Sequence, residues 1–207
     1  MNYTALSKEI SYSLRHGPWE YELELDENGW VETSQLLEAL KLEKKWKDLT
    51  ENYIEEMIQQ SDKRRHELSN GKIRALYGHS TTEKIKIEKK EPPEILLHGT
   101  ARCFLDRIRQ NGLLPMGRQY VHLSVDVETA MIVGKRRDSN PAILKINSKI
   151  AYIEGINFYQ GNDKVWLADS VEIKYIDFNA HSPVSLVKTN PLNKMSAILK
   201  GRRSKET

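Results

Sequence analysis

Apolar residues recur along the first eighty positions at the spacing of helix faces. Leu6, Ile10 and Leu14, with Ser13 among them, predict an amphipathic helix that Thr4 can cap and Gly17-Pro18 stops. Asp26-Glu27-Asn28-Gly29 reads as a turn into a short strand at Trp30-Val31. Thr33 or Ser34 then caps a helix carrying Leu36, Leu37 and Leu40 inward. Thr50 opens a third, with Tyr53, Ile54, Met57 and Ile58 on one face. From Arg65 to Leu76 the pattern becomes that of a hairpin, with its turn at Ser69-Asn70-Gly71. Helices followed by a small hairpin predict a winged-helix-like lobe, an architecture that often binds nucleic acid.

Residues 81–93 read as a connector: Ile85 and Ile87 alternate with charges, and Pro92-Pro93 stiffens the junction. A boundary near residue 88 divides an N-terminal lobe, 1–88, from a second lobe over 89–182. The second lobe has shorter elements. Ile95-Leu96-Leu97 is a buried strand running into His98-Gly99-Thr100, and Thr100 is placed to cap a helix that passes Ile108 and ends at Asn111-Gly112. Tyr120 to Leu123 is a strand with Tyr120 and His122 on one face, and Ser124 with Asp126 starts another helix. Strands follow at 142–147, 165–167 and 172–177. The expected class is α+β, the second lobe having a mainly stranded core. Residues 183–207 read as a loosely structured basic tail.

Composition narrows the function classes. The chain has 207 residues, 39% of them apolar and 29% charged, with net charge +3 and pI about 8.8. That balance suits a soluble folded chain, and it is too mild for wholesale polyanion binding, so any contact with nucleic acid should be local. Cys103 is the one cysteine, no Cys/His spacing resembles a zinc site, and a reducing cytoplasm is the expected compartment. No segment approaches the roughly 20 apolar residues of a membrane span, and the start lacks the pattern of a signal peptide. Walker, GxGxxG, HExxH and Gly-x-Ser-x-Gly motifs are absent.

Several positions can carry phosphate chemistry. Arg15-His16 closes the first helix, offering a planar fork of donors beside a titratable ring. The same pair would serve simply to complement the helix dipole, and spacing alone favours that plainer role. Asp62-Lys63-Arg64-Arg65-His66 crowds three cations at the hairpin entrance. Alternation along a strand allows only one of Arg64 and Arg65 to face inward. Gly78-His79-Ser80 and His98-Gly99-Thr100 each set a glycine beside a histidine and a hydroxyl, which lets backbone N–H groups approach an anion or a ribose. Arg118 precedes the strand holding His122, a residue that on a half-buried strand is more often structural. Cys103, beside Phe104, reads as core filler, and Arg136-Arg137-Asp138 as a solvated helix end that could also help with phosphates.

Taken in order, these segments resemble the RNA 2′-phosphotransferase family. The resemblance rests on Leu14-Arg15-His16, Asp26-x-Asn28-Gly29-Trp30-Val31, Asp62-Lys63-x-Arg65, Ile73-Arg74-Ala75 with Gly78-His79-Ser80, and His98-Gly99-Thr100. It continues through Gly112-Leu113, Met116-x-Arg118, Val121-His122-Leu123-Ser124 and Val165-Trp166-Leu167, covering roughly residues 4 to 178. It implies a winged-helix RNA-binding lobe followed by an ADP-ribosyltransferase-like lobe that binds NAD⁺. The implied reaction removes an internal 2′-phosphate from RNA, a spliced tRNA among the candidate substrates, without a metal or an obligate protein partner. The 2′-phosphate attacks the ribose C1″ of NAD⁺ and expels nicotinamide; a ribose hydroxyl then attacks the phosphorus and frees the RNA. The products are nicotinamide, ADP-ribose 1″,2″-cyclic phosphate and a restored 2′-hydroxyl. The implied catalytic set is Arg15, His16, Arg65 and Arg118. The implied NAD contacts are His98, Gly99, Thr100, His122 and Ser124, with His79 and Ser80 as further contributors. Tyr120 stands where relatives often carry histidine, and Leu97 where tyrosine is common. Two other readings remain open: an ADP-ribosyltransferase acting on terminal nucleic-acid phosphates, and a winged-helix RNA binder without catalysis.

Overall fold

The computed structural model describes residues 1–179, so the expected basic tail at 183–207 lies outside the described residues. The described chain mixes helices and strands around two main hydrophobic cores, with two smaller buried clusters beside them.

The first core is built by α1 (Tyr3–Arg15), α2 (Thr33–Lys41) and α3 (Glu51–Gln59) packed on a three-stranded antiparallel sheet. That sheet joins β1 (Trp30–Glu32), β2 (His66–Ser69) and β3 (Lys72–Ala75) in the order β1-β3-β2. Leu6, Ile10, Leu14, Leu36, Leu40, Ile54 and Ile73 are fully buried there, each one a position that recurs at the period of its element. Leu37 and Ile58 are only half-buried, and Tyr53 is exposed. The hairpin turns on Asn70 and Gly71, at φ 51° and 74°, the two left-handed residues that match the twist of the paired strands.

Helix starts depart from the sequence reading. Asn2, not Thr4, caps α1, its Oδ1 accepting from the Ala5 N–H at 3.0 Å. Asparagine outranks threonine at this position, and the earlier cap adds residues to the helix. At α2 no side chain caps the first turn. The Thr33 N–H donates instead to the Gly71 carbonyl at 2.8 Å, which ties the helix to the hairpin turn. Thr50 precedes α3 without a side-chain capping bond.

The second core lies on one face of a six-stranded antiparallel sheet ordered β7-β8-β5-β4-β6-β9. Its strands are β4 (Leu96–Thr100), β5 (Val121–Ser124), β6 (Ala142–Ile146), β7 (Phe158–Gln160), β8 (Val165–Ala168) and β9 (Ile176–Asp177). Helices α4 (Leu105–Asn111), α5 (Val127–Gly134) and α6 (Ser148–Ile153) accompany them. His98-Gly99-Thr100 lies inside β4 rather than after it. Thr100 therefore caps nothing, and α4 begins only at Leu105 after a 3-10 turn over Arg102–Phe104. Cys103 sits on that turn and is exposed, so it fills no core. The expected strand at 172–177 is a 3-10 turn, Ile173–Tyr175, followed by the two-residue β9. Neither α6 nor β7 is anticipated by the pattern, since six and three residues are too short to show a period.

This sheet is nearly two. β4 pairs with β6 at five positions and β5 with β8 at four, but β4 and β5 share only Leu97↔Ser124. Beyond that pair the sheet opens. The connector is also firmly held. Tyr120 Oη donates to the Ile85 carbonyl at 2.8 Å, the Lys86 N–H to Glu27 at 2.8 Å, and the Lys90 N–H to Phe158 at 2.9 Å. It thus fastens both cores to each other. Among the described residues no helix is long and apolar enough to cross a membrane.

Candidate active site at the junction of the two cores

Helix α1 delivers Arg15 to the place where the two cores meet. The side chain is only 9% exposed, which is unusual for arginine, and its Nη2 donates to the Arg65 carbonyl at 3.2 Å. Burial, with Arg65 and Arg118 nearby, pushes its pKa down to about 10, which leaves it charged at neutral pH. Arg65, at the entrance to β2, is half-buried, whereas Arg64 is exposed, pairs with Glu67 at 3.6 Å and gives its carbonyl to Asn162. The two neighbours divide just before β2 begins at His66, with Arg65 the more buried.

Arg118 reaches the same place from the loop before β5. Gly78, at φ 92°, lies between the two guanidiniums. A Cβ there would stand 3.1 Å from Arg118 Nη1 and 3.6 Å from Arg15 Nη1. Among the described residues, Arg64, Arg74, Arg102 and Arg109 each have a carboxylate within 4 Å, while Arg15, Arg65 and Arg118 have none, nor do Arg107, Arg136 and Arg137, the last two of which act on Arg118 as like charges. Arg15 is buried, Arg65 half-buried and Arg118 exposed, and cations gathered so without counter-charges form an anion site, because the missing partner is what such a cluster binds best.

His16 stands half-buried beside them, its Nδ1 hydrogen-bonded to Ser80 Oγ at 2.8 Å. Burial and the charges of Arg15 and Arg118 lower its pKa, favouring the neutral ring. Ser80 also donates its N–H to the Arg15 carbonyl at 3.0 Å, and so closes the end of α1. His79 turns the other way. It is 2% exposed, its Nε2 has no hydrogen-bond partner, and burial pushes its pKa down to about 4.

The opening between β4 and β5 carries the other candidates. His98 Nδ1 donates to the His122 carbonyl at 2.9 Å, in place of the missing ladder bonds. His122 Nδ1 donates to the Tyr120 carbonyl at 3.1 Å, which leaves Nε2 as an acceptor 3.4 Å from Arg118 Nη1. Burial first and Arg118 second push the His122 pKa down to about 3, consistent with that acceptor role. Thr100 and Ser124 are buried at the ends of their strands. Gly99 has a packing reason of its own: a Cβ there would lie 1.8 Å from the Ala130 carbonyl oxygen, so α5 takes the room that the missing side chain leaves. The structure therefore gathers Arg15, His16, Arg65, Arg118 and Ser80 at the junction. His98, His122 and Thr100 lie along the unpaired stretch of β4 and β5 and Ser124 at its closed end opposite Leu97, with Gly99 beneath α5 and His79 buried.

Three participants escape sequence reading. Gln119 grips the connector, its Nε2 donating to the Thr81 and Glu83 carbonyls at 3.0 and 2.7 Å and its Oε1 accepting from the Ile85 N–H at 3.0 Å. Asn162 bridges to Arg64, and Tyr77 touches Arg15. Only their adjacency to Arg118, Gly161 and Gly78 hints at these roles, and no spacing rule reads it.

Residues 2–170 match the family model described as "RNA 2′-phosphotransferase, Tpt1 / KptA family". A protein of Acetivibrio thermocellus named "Probable RNA 2′-phosphotransferase" is 59% identical over 178 residues, covering 86% of this chain and 98% of its own. One of the same name from Bacillus thuringiensis is 56% identical over 177 residues, covering 86% and 96%. Another, from Flavobacterium johnsoniae, is 41% identical over 178 residues, covering 85% and 96%.

Proposed function

Because the chain belongs to the RNA 2′-phosphotransferase family, and is on that account a transferase, we propose that it moves an internal RNA 2′-phosphate onto NAD⁺ through the arginine cluster at its junction. One observation carries this reading: Arg15 and Arg118 converge on Gly78, with Arg65 beside Arg15, and no carboxylate neutralises any of the three among the described residues. We divide the chain at residue 88. Helices α1 to α3 with the β2–β3 hairpin form a winged-helix-like RNA-binding lobe, and the opened six-stranded sheet an ADP-ribosyltransferase-like lobe.

A 2′-phosphate beside a phosphodiester is densely anionic. Three guanidiniums present planar donor edges to its oxygens and orient one of them for attack. Since arginines do not shed protons at neutral pH, they bind and stabilise charge rather than transfer protons. Each such donor is worth about 3 to 4 kcal/mol if it acts as an oxyanion-hole donor does. His16 presents Nε2 while Ser80 holds Nδ1, which suits it to steady the RNA 2′-oxygen as it departs.

The residues at the opening fit a dinucleotide. His98 has its Nδ1 engaged, which leaves Nε2 as an acceptor for a ribose hydroxyl, and Thr100 and Ser124 add hydroxyls. NAD⁺ supplies an electrophilic ribose carbon bearing nicotinamide as leaving group. The protein's part is to hold that carbon in line with the gripped phosphate. His122 stays neutral, so it adds no charge beside the cationic ring and spends its Nε2 on orienting Arg118.

The test is nicotinamide release from NAD⁺ by the purified chain. An oligonucleotide with an internal 2′-phosphate should give it, and the matched 2′-hydroxyl oligonucleotide should not. Tight RNA binding without release would overturn the reading. A stable ADP-ribosylated RNA end would instead make the enzyme one that stops after the first transfer.

A further inference from the structure

Tyr77 sits at the centre of the junction, and nothing in the chemistry above uses it. It precedes Gly78, just after β3. Arg15 Cζ lies 5.1 Å from the centre of its ring. The ring of His122 meets it edge-on, with centroids 6.2 Å apart and planes at 70°. On another side runs the turn between β7 and β8, where a Cβ on Gly161 would stand 3.1 Å from Tyr77 Cδ1. Asn162 Nδ2 donates to the Arg64 carbonyl at 2.8 Å and also reaches Tyr77 Oη at 3.4 Å. The ring is therefore fixed by residues from both cores.

What the ring does follows from what Arg15 lacks. A buried arginine is ordinarily held by a carboxylate. Here a carboxylate would hold the side chain but cancel its charge and compete with a phosphate. The hydrogen bond to Arg65 occupies one of five N–H donors and leaves the tilt of the plane free. An aromatic face attracts a cation through its quadrupole while adding no anion.

We propose that Tyr77 is a positioning residue for the phosphate grip. Its π face sets the plane of the Arg15 guanidinium so that the free N–H edge meets the substrate, and its contact with His122 ties that plane to Arg118. The proposal rests on the phosphate-transfer reading above.

Three kinds of variant test it: Tyr77→Phe, Tyr77→Leu, and a series in which position 77 carries phenylalanine with increasing ring fluorination. Fluorine drains the negative π face while changing size little. With NAD⁺ saturating and the 2′-phosphorylated oligonucleotide varied, Tyr77→Phe should keep kcat/KM within about threefold, and Tyr77→Leu should lose about tenfold or more, the scale of a desolvated cation–π contact. The logarithm of kcat/KM should fall steadily along the fluorinated series at constant melting temperature. A flat series, or a fully active Tyr77→Leu, would overturn the proposal. The Arg15 Nε–H resonance gives a readout independent of activity. A ring-current shift should be present in the wild type and Tyr77→Phe and absent in Tyr77→Leu; its absence from the wild type overturns the proposal. A wild-type chain that shows the shift but turns over no substrate would sink the function reading and leave the Tyr77–Arg15 contact standing.

Discussion

His16 Nδ1 and Ser80 Oγ lie 2.8 Å apart, while the Ser80 N–H reaches back to the Arg15 carbonyl at 3.0 Å. One serine thus closes α1 and orients the histidine that follows it. Ser80→Ala should lower kcat about fivefold, the effect of one neutral hydrogen bond worth about 1 kcal/mol, and leave the KM for NAD⁺ unchanged. Steady-state kinetics with each substrate varied in turn would check it. A rise in that KM at constant kcat would place the hydroxyl on the dinucleotide instead.

Arg15 is a charge kept at a cost to the fold. It is 9% exposed, stands among like charges and has no carboxylate within 4 Å among the described residues. Arg15→Met should lower turnover by a factor of about 100 to 1,000. It should also raise unfolding stability by about 1 kcal/mol, since a hydrophobic chain of similar volume replaces a desolvated cation. Arg118→Ala, more exposed, should lose activity similarly with little change in stability. Paired denaturation and rate measurements separate the two cases, and an Arg15→Met variant that is both inactive and less stable contradicts this view of Arg15.

Gly99 tests the packing beneath the site. A methyl group there would meet the Ala130 carbonyl oxygen at 1.8 Å, so α5 must move. Gly99→Ala should cost about 3 kcal/mol, at the upper end of overpacking penalties. Gly117→Ala, with nothing within 4 Å, should be neutral. Equal melting temperatures for the two variants would refute the contact.

The sequence carried the long periodic elements and the chemistry, but not what holds that chemistry in place. Leu6, Ile10 and Leu14 declare α1 because a buried face must repeat, and Asn70-Gly71 declares a turn because few residues adopt left-handed backbone. Arg65 was separable from Arg64 only as one of two alternatives, since alternation fixes opposite faces without saying which is inward. Gly99 reads in the sequence as room for an anion or a ribose, whereas the neighbour that fills the space is the Ala130 backbone of α5. Tyr77, Gln119 and Asn162 were silent because each acts across the junction, on partners distant in sequence. Such contacts follow from how two cores dock, which no local pattern encodes.

Acid should weaken the fold in a defined window. His66 and His79, 3% and 2% exposed, are pushed down to about 3 and about 4, mainly by burial. Unfolded histidine takes its proton near pH 6.5, so the unfolded chain binds more protons below that point. The stability these groups contribute is complete above about pH 6.5 and falls as the pH drops towards their folded values. Each should cost about 1.4 kcal/mol per pH unit, so the two together about 2.8 kcal/mol per pH unit over most of the window from roughly pH 6 to 4. Urea unfolding at successive pH values would show the slope, to which His122, pushed down to about 3 by burial, also adds, and His66→Gln should lower it by about 1.4 kcal/mol per pH unit. A flat profile over that window contradicts the burial of these rings as neutral groups.

If Arg15, Arg65 and Arg118 hold the phosphate for transfer to NAD⁺, none of it is lost to hydrolysis. The most direct measurement follows the phosphorus. An RNA carrying a radiolabelled internal 2′-phosphate is incubated with the chain, with and without NAD⁺, and the labelled products are separated. Label is expected in ADP-ribose 1″,2″-cyclic phosphate, with one nicotinamide released for each phosphate removed and no reaction without NAD⁺. Label appearing as inorganic phosphate, or removed equally well in the absence of NAD⁺, would contradict transfer to NAD⁺.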